Sequence, residues 1–82
     1  MASYKMSVEN SSAIGAKMAQ EIVQKASEFE ADMTLRYENK EVDLKSILGI
    51  MSLAVLEGAK IEIEAKGADA KEAIEALQKM IK

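Results

Sequence analysis

Nucleophiles and proton carriers are scarce in this chain. Its 82 residues include no histidine and no cysteine, which removes the imidazole relay, the thiolate nucleophile and any thiolate-bound metal from consideration. The hydroxyls of Ser11 and Ser12 have no general base beside them, so neither is activated for attack. Glu28, Glu30 and Asp32 form a charge run before a strand and read as solvated. Glu38, Glu41 and Asp43 lack both a histidine and a ligand spacing, so no metal site is expected. No two carboxylates fall in an evident apolar cleft, which leaves no acid/base pair and no expected cofactor. Two places keep some chemical promise. Gly15 and Lys17 open a helical pattern, where glycine permits close backbone approach and lysine adds charge that could attract an anion; a plain helix start with a flexible glycine and a solvated lysine is the simpler reading and needs no anion. Ser46 precedes a second helical pattern and suits its N-cap.

The elements that must position these residues follow from periodicity. Tyr4, Met6 and Val8 alternate with polar neighbours as a half-buried strand does. Asn10, Ser11 and Ser12 make a polar turn. From Ala16 the spacing lengthens, and Ala19, Ile22, Val23 and Ala26, closed by Phe29, predict an amphipathic helix. Met33, Leu35 and Tyr37 alternate again. Glu38-Asn39-Lys40 turns the chain, with Asn39 expected at the positive φ, and Val42 with Leu44 continues in a short strand. After Ser46, a helix carries Ile47, Ile50, Met51 and Ala54 as its buried stripe, with Val55 able to extend it and Leu48 and Met51 the residues able to project. Gly58 is its expected stop. Ile61, Ile63 and Ala65 form a fourth strand with Glu62, Glu64 and Lys66 toward water. Asp69 and Glu72 make a capping-box start for a last helix with Ala70, Ala73, Ile74, Leu77 and Ile81 on one face, ending in Lys79 and Lys82.

The order is β-α-β-β-α-β-α over a single domain, residues 1–82, without repeat or linker. Alternating strands imply a sheet with one wet face and helices on the other, an α+β open-faced β-sandwich. The expected sheet is four-stranded and mostly antiparallel, with three helices on one face.

Composition sets further bounds. An apolar fraction of 49% suffices for a small core. The net charge of −3, with 11 basic residues scattered singly, argues against direct nucleic-acid binding. No signal peptide and no membrane span are expected, and the location is read as cytoplasmic. Proline is absent, whereas about 5% usage would give about four. With the Ala/Glu/Lys-rich last helix, this leaves an engineered origin open.

Val42-Asp43-Leu44-Lys45-Ser46-Ile47-Leu48-Gly49-Ile50-Met51-Ser52-Leu53 resembles the regulatory-serine segment of HPr, the phosphocarrier family of the bacterial sugar phosphotransferase system. The likeness extends element for element over almost the whole chain and implies the same open-faced sandwich. Ala13-Ile14-Gly15-Ala16-Lys17-Met18-Ala19 falls where that family carries its phosphorylatable histidine, adjacent arginine and proline. Gly15 stands at the histidine, Lys17 at the arginine and Met18 at the proline. By this resemblance the chain carries no phosphohistidine, has no catalytic residue and is not an enzyme.

The resemblance implies a different role, similar to that of the catabolite-repression HPr homologue, which lacks the histidine and keeps the serine. An HPr kinase/phosphorylase would phosphorylate Ser46. Lys17, Lys45, Ile47, Leu48 and Met51 would form a surface for phosphotransferase-system proteins or a LacI-type catabolite regulator. A phosphate at a helix start meets a favourable dipole, so a changed surface is expected without unfolding. Rival readings are Ser46 as a cap alone, an engineered or diverged scaffold without phosphotransfer, and a competitor that binds phosphotransferase-system proteins unphosphorylated.

Overall fold

The computed structural model describes residues 3–9 and 14–81; the expected turn at Asn10, Ser11 and Ser12, together with Ala13 and Lys82, lies outside them. The elements are β1 (Ser3–Glu9), α1 (Ala16–Ala26), β2 (Asp32–Tyr37), β3 (Lys40–Asp43), α2 (Ile47–Ser52), β4 (Lys60–Lys66) and α3 (Ala70–Ile81). The sheet order is β1-β4-β2-β3 and every neighbouring pair is antiparallel. Two crossings through helices put β4, the last strand in sequence, between β1 and β2.

Alternation decides which face is covered. Met33 and Leu35 of β2 and Ile61, Ile63 and Ala65 of β4 are buried. Their neighbours Arg36, Glu62, Glu64 and Lys66 lie on the open face, half-buried or exposed. Ile63 sits opposite both Met6 and Leu35, so one apolar row crosses three strands. The helices supply the other layer: Ala19, Ile22 and Ala26 from α1, and Ala70, Ala73, Ile74, Leu77 and Ile81 from α3, are all buried. Burying each large aliphatic side chain contributes about 1.5–3 kcal/mol before chain entropy is counted. Tyr4, read as facing the core, is 40% exposed at the end of the edge strand.

Four local expectations change, each for a visible reason. The β2–β3 register closes Tyr37 on Lys40, so the loop has two residues, and the tight reversal puts Glu38, not Asn39, at φ 57. β3 stops at Asp43 instead of running through Leu44. The Asp43 carboxylate accepts the Lys45 N–H at 2.8 Å and its carbonyl accepts the Ser46 N–H at 3.0 Å, turning the chain into α2. Leu44 is instead buried, and its N–H donates to the Met33 carbonyl.

α2 ends at Ser52, well before Gly58, and Ala54 takes the left-handed φ of 52 that follows the helix. Beyond it the chain turns inward at buried Val55, whose carbonyl accepts the Ile14 N–H at 3.0 Å. The Asp69 carboxylate, finally, reaches across to the loop after α1 and accepts the N–H groups of Glu30 and Ala31, both at 2.8 Å. The backbone approach is close enough that a Cβ on Gly67 would fall 2.9 Å from Ala31 Cα.

Candidate functional site

The start of α1 is a bare backbone terminus. Gly15 is its N-cap in an extended conformation, with no side chain to occupy the first-turn N–H groups, and its carbonyl accepts the Ala19 N–H. Buried Ile14 anchors the approach through its bond to Val55. That bond ties the entrance of α1 to the loop leaving α2. Gly15 and Lys17 are exposed and line an open depression with Ala16, Met18 and Glu21. A Cβ built on Gly15 meets nothing within 4 Å. Among the described residues the depression offers backbone donors and the Lys17 ammonium beside the Glu21 carboxylate, and no hydroxyl, thiol or imidazole.

α2 gives the surface most of its apolar character. Ser46 caps the helix as expected, its Oγ accepting the Gly49 N–H at 3.1 Å. Within this six-residue helix only Ile50 is buried. Ile47, read as part of the buried stripe, is 39% exposed, Met51 is 42% exposed and Leu48 is 83% exposed. Fewer than two turns offer one inward position, and Ile50 takes it. Leu53 and Val55, just past the helix, are the other residues that turn inward.

Leu56, 66% exposed on the loop joined to Ile14, adds a large side chain to this surface. Its sequence position, directly after a pattern read as helix, carried no sign of that.

Lys45 sits differently from its neighbours. Its Nζ donates to the Phe29 carbonyl at 2.9 Å and its side chain is half-buried. The same loop is held from the other side by Asp69. Its carboxyl is lowered from the ordinary value, first by the Glu30 N–H bond and then by the bonds from the Ala31 N–H and its own N–H, with the Lys45 charge adding to them and desolvation opposing. Among the described residues no group of three or more His, Cys, Asp or Glu side chains is placed to hold a metal ion. No helix among them is long and apolar enough to cross a membrane.

The family model PTS-HPr, described as the PTS HPr component phosphorylation site, matches residues 2–82. The chain belongs to the HPr family. The phosphocarrier protein HPr from Bacillus anthracis is 38% identical, with a TM-score of 0.94 and full coverage of both chains. HPr-C-His from Thermoanaerobacter tengcongensis is also 38% identical, with a TM-score of 0.85 over 99% of this chain and 91% of that one. Crh, the Bacillus subtilis catabolite-repression protein solved as a swapped, intertwined dimer, is 37% identical, with a TM-score of 0.78 over 89% of this chain and 82% of its own. The sandwich read from the sequence is therefore the HPr fold. HPr-family membership points to phosphotransferase-system proteins as the class of partner. This HPr-family chain contains no histidine.

Proposed function

We propose that this chain is a regulatory, non-catalytic HPr-family protein of the cytoplasm, phosphorylated on Ser46 by an HPr kinase and then docked to a LacI-type catabolite regulator. The observation that carries the reading is the exposure of Leu48, Met51 and Ile47 on the short helix that Ser46 begins. Three large apolar side chains left in water beside a modifiable hydroxyl suit a surface whose partner changes with its charge.

Lys17, exposed on α1, is assigned to the same docking surface. Lys45 contributes charge nearby, with its ammonium engaged by the Phe29 carbonyl. With Gly15 at the family's histidine position, the chain does not carry phosphohistidine. A phosphate on Ser46 replaces a neutral cap with an anion at a helix start, so the fold persists while the surface gains negative charge.

Incubation with an HPr kinase and ATP, read by intact mass, tests the assignment. One added phosphate, absent in Ser46→Ala, is the expected result. Because alanine also removes a cap, at about 1 kcal/mol, the control is compared at a temperature where both proteins are folded. No added mass on folded protein leaves Ser46 a cap only and the chain a scaffold or an unphosphorylated binder.

A further inference from the structure

We propose that Gly49 positions the Ser46 hydroxyl for phosphoryl transfer by leaving open a space that a side chain would fill. The inference rests on the reading of Ser46 as a kinase acceptor. Gly49 lies inside α2, and it is not among the glycines with positive φ. Backbone conformation therefore asks for no glycine here, and glycine is among the poorest helix formers. What it provides is room. A Cβ at this position would stand 3.2 Å from Ser46 Oγ, 3.4 Å from Ser46 Cβ and 3.3 Å from Val42 Cβ.

The hydroxyl thus sits in a niche between β3 and the first turn of α2, and Gly49 closes that niche with a hydrogen atom instead of a methyl group. The same residue holds the oxygen from behind, donating its N–H to Oγ at 3.1 Å. The Gly49 carbonyl is fixed in turn by the Ser52 hydroxyl at 2.7 Å.

The chemistry makes this arrangement matter. A kinase base removes the Ser46 hydroxyl proton, and Oγ forms a bond to the γ-phosphorus of a nucleoside triphosphate. The bond from that phosphorus to the bridging oxygen breaks, and the electron pair leaves with the nucleoside diphosphate. Oγ must present a lone pair in line with the breaking bond. One lone pair engaged by the Gly49 N–H fixes the rotamer and leaves the other outward. A methyl group at position 49 presses on Oγ itself, so it moves the attacking atom while leaving the exposed docking residues in place.

The test is steady-state phosphorylation of the wild type and Gly49→Ala by an HPr kinase with ATP, beside urea midpoints for both proteins. A fall in kcat of about ten-fold, the scale expected when a reacting atom is displaced by a fraction of an ångström, with KM nearly unchanged, is the expected result. Unchanged kcat overturns the inference, and so does a fall in kcat matched by loss of folded protein.

The three-bond couplings about Ser46 χ1, measured in unphosphorylated protein, give a readout independent of any kinase. A single rotamer in the wild type that averages or switches in Gly49→Ala supports the role; averaging already present in the wild type, or couplings identical in the two proteins, refutes it. If the wild type takes no phosphate at all, the acceptor reading of Ser46 fails by itself. The couplings then still decide whether Gly49 holds the hydroxyl.

Discussion

Lys45 Nζ donates to the main-chain carbonyl of Phe29 at 2.9 Å, joining the residue just before Ser46 to the loop that leaves α1. A lysine next to a proposed modification site invites a reading as a charge displayed to partners. The geometry gives it a structural task first. Its half-buried side chain spans the gap between the start of α2 and residues 28–31, so the segment bearing Ser46 is braced against the body of the fold.

Replacing Lys45 with methionine keeps the aliphatic stem and removes the donor. The expected loss is about 1 kcal/mol, the ordinary worth of such a hydrogen bond, read as a lower urea midpoint at unchanged m-value. The same change at exposed Lys17 is expected to stay within about 0.5 kcal/mol. Equal midpoints for the two variants would remove the bracing role.

The second brace on that loop titrates. The Glu30 and Ala31 N–H groups hold the Asp69 carboxyl below its ordinary value of 3.8. Its folded-state pKa lies below the unfolded one, so its contribution is complete above the unfolded value. As pH falls through the folded-state pKa, that contribution is lost. Stability of the wild type is therefore expected to drop more steeply than that of Asp69→Asn as pH falls through and below the ordinary value of 3.8. Urea midpoints across that range test it. Parallel curves would mean that the two bonds make no pH-dependent contribution.

These braces mark the boundary of what the chain discloses before folding. The stripe of Ala70, Ala73, Ile74, Leu77 and Ile81 and the alternation of Ile61, Ile63 and Ala65 are legible because each reports a periodicity within a single element. Asp69 reads locally as a cap for α3. Its real partners lie 38 and 39 residues away, on a loop that only the folded sheet brings near. Ile47 reads as core by type and spacing, and its exposure follows from how few inward positions a six-residue helix has, Ile50 taking the one within it. Leu56 carries no reading in the sequence, and its exposure belongs to the loop after α2. Past that helix the chain is joined to a distant segment by the Ile14–Val55 bond. Gly15 and Ser46 were legible as a pair through family likeness, whereas the niche around Ser46 depends on Val42, which approaches only when β3 forms.

Ala54 carries a cost just past the end of α2. Its φ of 52 is one that L-residues adopt at roughly 1–2 kcal/mol, and its exposed side chain makes no compensating burial. Ala54→Gly removes the strain and gives back part of the gain through a more flexible unfolded chain. A net stabilisation of about 0.5–1 kcal/mol is expected, which for a domain of this size is a rise in Tm of about 2–8 °C. Gly58, at φ 83 four residues on, is expected to lose stability when replaced by alanine. A scan in which both substitutions moved Tm the same way would contradict the backbone assignment.

The two faces of α2 separate folding from recognition. Ile50 is fully buried and Leu48 is 83% exposed, two positions apart on the same short helix. Ile50→Ala opens a cavity under the helix and is expected to cost about 2–5 kcal/mol, a large share of what a domain this small has. Leu48→Glu leaves the core intact and is expected to change stability by no more than about 0.5 kcal/mol. If Leu48 anchors a regulator, the glutamate places an unpaired charge in the centre of that interface and weakens the phosphorylated protein's binding by at least about ten-fold. Calorimetric titration of the phosphorylated wild type and Leu48→Glu against a LacI-type catabolite regulator, alongside urea midpoints, reads both terms. Unaltered affinity with unaltered stability would mean that the exposed face of α2 is simply what so short a helix leaves in water. A loss of affinity at constant stability ties that face to the partner, because the substitution touches nothing that the fold itself uses.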